Sequence, residues 1–224
     1  VPVSTTSATM SADLYYTPTS CGAASFISAY KGGLIASGKV TAAEVDLASH
    51  TVKTGPKKGT DFYTINPKGN VASLIVDGTV LNENAAVLQW IADQAPESKL
   101  APANGTIDRY LLQAKLSLIS SEVHKAYAPF FRGPSDEEKV ALYKALEDKL
   151  KYVNDKELSD TRKYLIGDDF TVADAYLYIV AGWSGFIGVD LSKFPRLAAY
   201  HNAIAGLDFV KEAHAAMAAA SLKA

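Results

Sequence analysis

A chain of 224 residues, 48% hydrophobic and 21% charged, has room for two small globular domains and the composition of neither a disordered nor a fibrous protein. Twenty-two Lys plus Arg against 24 Asp plus Glu leave a net charge of −2, without the clustered basic surplus that a nucleic-acid binder carries. No apolar run reaches the roughly 18 residues that cross a bilayer, and a single cysteine supports neither an internal disulfide nor a cysteine-rich metal site, so a soluble cytoplasmic protein is expected.

The first residues, rich in Ser and Thr and free of charge, predict a flexible extension over 1–10, with Met10 as the natural start. A strand follows at 13–16. It is broken by Pro18, and hydroxyl residues then suit the cap of a helix over 21–30 that ends at Gly32-Gly33. A second strand is expected over 40–47 and an irregular polar loop over 48–62, with a turn at Asn66-Pro67-Lys68-Gly69. Asp77-Gly78 between Leu74-Ile75-Val76 and Thr79-Val80-Leu81 is a two-residue hairpin signal, and 84–94 has helical spacing. A strand–helix–strand crossover, a hairpin and a covering helix make a thioredoxin-like arrangement over 11–96.

Residues 97–105 read as a linker, and 106–224 contain no strand signal. One long helix is expected over 107–131. Pro134-Ser135 with Glu138, and Thr171 with Asp174, are capping boxes; Phe170 and Ala175 could add a weak staple to the second. The helix 175–183 is apolar all round and should be buried, and two further helices follow Pro195 and Asp208. The fold class is therefore α/β followed by all-α.

Three places could carry chemistry. Cys21 sits where a strand ends and a helix begins, so helix-end N–H groups could stabilise a thiolate there; a small buried apolar residue is the alternative. Glu83 and Asn84 open the covering helix, where a carboxylate and helix N–H groups suit an amino-acid head group, or where they merely cap the helix. On the long helix, Ser117, Ser121 and His124 share a polar stripe between two apolar ones, with Tyr127 beside it. That stripe lines either a wet cleft or an interface. His50, His201 and His214 have no metal-ligand spacing with one another or with Cys21, so no metal is expected.

Taken together, Leu14-Tyr15-Tyr16-Thr17-Pro18-Thr19-Ser20-Cys21, Asn66-Pro67-Lys68-Gly69, Leu81-Asn82-Glu83-Asn84-Ala85-Ala86, Ser121-Glu122-Val123-His124-Lys125 and the run from Gly167 to Tyr176 resemble the Beta-class glutathione S-transferases of bacteria and their fungal relatives. The resemblance implies a glutathione-binding thioredoxin-like domain, an all-helical domain and a cytosolic homodimer. It implies that Cys21, Tyr16 and Ser20 serve the sulfur chemistry. Val71 offers its backbone to glutathione, Glu83 and Asn84 hold its γ-glutamyl end, His124 faces the sulfur, and Ser117 and Ser121 line the substrate pocket, to which Tyr127 is added from its place beside His124.

Two positions depart from the family pattern. Ala72 stands where the family has a cis-proline, and a cis bond before a non-proline residue costs about 3 kcal/mol, so a trans Val71–Ala72 bond is expected. The loop over 48–61 is longer than in bacterial relatives, which leaves His50 and Lys53 as alternatives for the lysine that meets the glycine carboxylate of glutathione. The expected activity is transfer of glutathione to small apolar electrophiles, or reduction of glutathionyl mixed disulfides, in detoxification or stress response. A catalytically weak binding or regulatory relative is the alternative.

Overall fold

The computed structural model describes residues 11–222. The predicted tail over 1–10 lies outside the described residues. The N-terminal part is a five-stranded sheet in the order β3-β2-β1-β4-β5. Its strands are β1 (Ala12–Tyr16), β2 (Val40–Asp46), β3 (Thr51–Val52), β4 (Ser73–Val76) and β5 (Thr79–Leu81), with helices α1 (Gly22–Lys31) and α2 (Asn84–Gln94). β1 and β2 run parallel because α1 carries the chain back across the sheet, whereas β1 and β4 pair antiparallel. The β4–β5 turn has positive φ at both Asp77 and Gly78, as the predicted hairpin requires. Within the segment read as an irregular loop, β3 pairs with the end of β2. No periodicity announces two residues of strand.

Alternation along β1 sorts its side chains between two cores. Leu14 and Tyr16 join the large core under α1 and the helical part, while Tyr15 packs on the other face with Val45, Val52 and Phe62.

The C-terminal part is helical: α3 (Ile107–Leu118), α4 (Lys125–Tyr127), α5 (Asp136–Tyr152), α6 (Val172–Gly182), α7 (Ser184–Ile187), α8 (Pro195–Ala205) and α9 (Asp208–Ser221). The single helix expected over 107–131 is interrupted by a π-helical turn at Ile119–His124, after α3, and ends in a 3₁₀ stretch at Ala128–Arg132. The all-round apolar helix α6 is buried along Val172–Ala181 and packs against α1, which joins the two parts through one continuous core. No described helix is long and apolar enough to cross a membrane.

Both capping boxes form. Ser135 Oγ accepts from the Glu138 N–H at 3.3 Å, and Glu138 Oε2 accepts from the Ser135 N–H at 2.8 Å. At α6, Asp174 is wholly buried. Its Oδ2 accepts from the N–H and Oγ1 of Thr171 at 2.8 and 2.7 Å, and its Oδ1 from the Leu165 N–H at 2.8 Å and the Tyr200 hydroxyl at 2.6 Å. The four donors make this carboxyl the knot between α6, α8 and the 158–171 segment. Phe170 meets Tyr164 and Phe209 edge-on and so belongs to the core.

Two predictions follow from this packing. Removing a buried acceptor leaves its donors without partners, so Asp174→Ala should lower the unfolding free energy by about 3 kcal/mol or more, measured by urea denaturation. Thr171→Ala, which leaves the carboxylate in place, should cost about 1 kcal/mol. His201 and His214 flank Tyr178 in the helical part, the latter with Nε2 at 3.1 Å from its hydroxyl, and burial pushes both imidazoles below their usual range. Their stabilising contribution is complete above the unfolded value of about 6.5 and is lost as pH falls through the lower folded values. The thermal midpoint should therefore drop between pH 7.5 and 5.5, and His201→Gln/His214→Gln should show a shallower drop.

Candidate active site

The turn between β1 and α1 lines a cleft of about 1400 Å³ through Thr19, Ser20 and Cys21. Ser20 Oγ donates to Thr17 O at 2.9 Å and accepts from the Gly22 N–H at 3.0 Å, closing the entry to the helix. Gly22 eases this turn: a Cβ would sit 3.2 Å from Tyr16 Cα and Ser20 Oγ, tighter than ordinary packing. Cys21 follows at the N-cap of α1, 7% exposed, with Sγ donating to Val71 O at 3.2 Å.

The thiolate expected at this helix end is not what the site favours. Burial pushes the Cys21 thiol up to about 12, and the backbone N–H groups of Ala72 and of Cys21 itself offset only part of that rise. A helix terminus stabilises a thiolate only to the extent that the sulfur is not desolvated, and here desolvation is the larger effect.

Val71 and its neighbours are held by Asn66, which is fully buried. Its amide donates to Asn70 O, Asn70 Oδ1 and Ser73 Oγ, each at 2.9 Å, and its Oδ1 accepts from the Lys68 N–H and the Asn82 amide. The predicted turn at 66–69 is thus built around a side chain, and it delivers Gly69, Asn70 and Val71 to the cleft wall. The Val71–Ala72 bond is cis, correcting the expected trans geometry. That expectation weighed local peptide preference alone, without the Cys21 thiol donating to the Val71 carbonyl or the complete burial of Ala72.

Glu83 and Asn84 divide in role. Asn84 is buried, with Oδ1 accepting from Ser25 Oγ at 2.7 Å and Nδ2 donating to Cys21 O at 3.1 Å, so it ties the start of α2 to the start of α1. Glu83 is exposed at the cleft edge and pairs with Lys68. His50, at positive φ, stacks on Tyr63 at 4.4 Å and faces the cleft. Lys53 does not reach the cleft: its Nζ lies 2.7 Å from buried Glu44. Tyr16 is also removed from the site, because the alternation of β1 directs it into the core, where it meets Phe26 at 4.7 Å and burial raises its hydroxyl pKa.

Across the cleft, the π-helical turn changes which residues face inward. An uninterrupted α-helix would align Ser117 and Ser121 with His124, but the wider turn shifts the face, and Ser120 takes the lining position. Ser117 and Ser121 are exposed, with Ser121 Oγ donating to Ser117 O at 2.9 Å. Tyr127 is buried behind the wall and bonds Ser184 Oγ at 2.6 Å. His124 does line the cleft, with Nδ1 at 2.8 Å from the Tyr176 hydroxyl and its ring against Trp183 at 4.9 Å. Burial keeps this imidazole neutral and the Tyr176 phenol protonated.

Sequence reasoning missed Tyr176 and Trp183. Tyr176 is one of eight tyrosines between residues 106 and 224, with nothing in the sequence to distinguish it. Trp183, at the end of the apolar helix, sends Nε1 to Thr19 O at 3.0 Å and so bridges the two parts beside Cys21. The cleft measures about 1400 Å³ and is walled on the helical side by Phe130, Phe131, Trp183, Phe186 and Ile187. Among the described residues, no three His, Cys, Asp or Glu side chains are grouped to hold a metal.

Comparison with known proteins agrees with this layout. Residues 118–208 match the family model described as the glutathione S-transferase C-terminal domain. The chain is 36% identical over 202 residues to glutathione S-transferase GstA of Escherichia coli O157:H7, covering 89% of this chain and 96% of that protein. Its structure is similar to a Beta-class glutathione S-transferase from Sphingomonas chungbukensis, with TM-score 0.82 and 40% identity over 92% of this chain and 98% of the other. It is equally similar to a sphingomonad glutathione S-transferase complexed with glutathione, with TM-score 0.82 and 38% identity over 92% and 98%. Sequence, architecture and the cleft between the two parts lead to one assignment: this chain belongs to the glutathione S-transferase family.

Proposed function

We propose that this enzyme binds glutathione along the thioredoxin-like wall of the cleft and transfers it to a small apolar electrophile held against the aromatic wall. The observation that carries the reading is the pairing of two unlike walls in one cavity. The backbone at Asn70–Val71, with Ser20, Cys21, His50 and Glu83, offers polar partners to a peptide, and the phenylalanines and Trp183 opposite offer apolar surface. The donor set fits glutathione. Val71 supplies extended backbone for the cysteinyl unit, Glu83 a carboxylate for the α-ammonium, and His50 a polar ring for the glycine end. Bound glutathione supplies the thiolate nucleophile; the helix N-terminus is positioned to stabilise it, and the Ser20 hydroxyl would join by turning its hydrogen from Thr17 O to the sulfur.

Burial of Cys21 favours conjugation over thiol transfer as the main activity. A protein sulfur held as a thiol is a poor nucleophile, whereas conjugation uses the ligand's own sulfur. Reduction of glutathionyl mixed disulfides through Cys21 is a second reading, supported by the sulfur's place at the cleft floor.

The enzyme would act as a cytoplasmic homodimer in detoxification. Support for the dimer comes from α3: Leu112 and Leu116 are buried, while Ile107, Tyr110 and Leu111 are 72%, 59% and 46% exposed, an apolar stripe that no described element covers.

Glutathione–agarose should retain the protein, and 1-chloro-2,4-dinitrobenzene should be conjugated; retention without turnover of either that substrate or hydroxyethyl disulfide would sink the enzyme reading. Cys21→Ser should abolish thiol transfer but reduce conjugation by less than about tenfold. Alkylation of wild-type Cys21 by iodoacetamide should stay slow through pH 8 and still be rising at pH 10, because the thiol is protonated below about 12. Light scattering at micromolar concentration should give twice the 23.9 kDa chain mass.

A further inference from the structure

The aromatic wall is not purely apolar. Lys125, at the start of α4, and Arg132, at the end of the 3₁₀ stretch, both line the cleft beside Phe131 and Phe186. Neither belongs to an ion pair among the described residues, and the carboxylate nearest to each in sequence, Glu122 for Lys125 and Asp136 for Arg132, is engaged elsewhere. Glu122 pairs with Lys149 at 2.5 Å, so the field of Lys125 is a minor influence on it. Asp136 pairs with Lys139 at 2.7 Å, and Glu138 is held by the Ser135 N–H and hydroxyl at 2.8 and 2.9 Å. The other charged side chain of the cleft, Glu83, is matched by Lys68. The cleft therefore presents two uncompensated cations on a chain whose net charge is −2.

From these two cations on an aromatic wall, we infer that the preferred electrophiles are small aromatic molecules bearing an anionic substituent, such as a carboxylate, with the ring on Phe131 and Trp183 and the anion toward Arg132 and Lys125. The inference rests on the reading of this cleft as the transfer site and adds the substrate class. The physical ground is selectivity: an apolar wall alone binds neutral and anionic arenes by area and must desolvate the anion without return, whereas an opposed cation offsets that cost. The rigid contacts of Trp183, to Thr19 on one side and at 5.4 Å from the Phe131 ring on the other, hold the surface against which the arene would stack. In a conjugation, the glutathione sulfur forms the bond to the ring carbon, the C–Cl bond breaks, chloride leaves with the bonding pair, and the thiol proton passes to solvent.

The test separates binding from catalysis. Binding of 3,5-dinitrobenzoate and of neutral 1,3-dinitrobenzene, which differ only by the carboxylate, is followed by quenching of tryptophan fluorescence without glutathione. Wild type should prefer the benzoate by about fivefold or more at low salt, with the preference shrinking as ionic strength rises. Arg132→Gln and Lys125→Gln should each weaken that preference, and Arg132→Glu should abolish it; circular dichroism confirms that each variant is folded. In parallel, the kcat/KM ratio of 4-chloro-3,5-dinitrobenzoate to 1-chloro-2,4-dinitrobenzene should fall in the same order. No preference in wild type, no binding of either arene, or a preference untouched by all three substitutions overturns the inference. So does an effect of Arg132→Gln on the KM for glutathione alone, which would assign these cations to the peptide. Turnover of the neutral chloroarene with no selectivity for the benzoate sinks the inference while leaving the transferase reading intact; absence of all turnover, with the binding preference present, sinks the transferase reading instead.

Discussion

The site depends on the turn over 17–21, because four other segments are tied to it, β2 among them through Thr17 Oγ1 donating to Val45 O at 2.6 Å. The Asn84 amide donates to Cys21 O from the start of α2, Val71 O receives the Cys21 thiol from the loop before β4, and the Trp183 indole donates to Thr19 O from the end of α6. Each bond spends a polar group that would otherwise be buried without a partner, so the turn cannot move without leaving several unsatisfied. The relative placement of the two cleft walls thus rests on hydrogen bonds to one short piece of backbone.

That arrangement constrains the chemistry. Val71 O accepts the Cys21 thiol, and Val71 also lines the cleft wall. Entry of a cysteinyl ligand would exchange an internal sulfur–carbonyl bond for a ligand–backbone bond. Because burial holds Cys21 as a thiol, the residue acts as a donor to Val71 O, and its nucleophilic use would need the sulfur to become better solvated. The neutral His124–Tyr176 pair faces it across the cleft with two groups that exchange hydrogen bonds without carrying charge.

The helical part supplies rigidity through buried polar knots. Asp174 gathers four donors at the start of α6, and Arg109, 3% exposed, makes a two-pronged contact with Asp93 at 2.8 and 3.1 Å that joins α3 to α2. In each contact one member, Asp174 or Arg109, is buried, so an arrangement that separates the partners leaves a buried polar group unpaired and is penalised. Asp174 thereby fixes the start of α6, the helix that carries Tyr176, against α8.

Local chemistry in the sequence determined a large share of this protein. The Asp77-Gly78 hairpin, both capping boxes, the buried helix and the helix start at Cys21 each follow from residue types a few positions apart, whose physical requirements do not depend on the rest of the chain. The resemblance carried by five short motifs led to the family. Tertiary structure decided the inward face of every element at the cleft. A π-helical turn replaced Ser117 and Ser121 by Ser120, strand alternation sent Tyr16 into the core, and a buried glutamate captured Lys53 and left His50 at the cleft. Tyr176 and Trp183 become functional candidates only when α6 is packed against α1. Periodicity specifies that a side has an apolar face; which polar residues border it is settled by partners distant in sequence and by the burial that those partners impose.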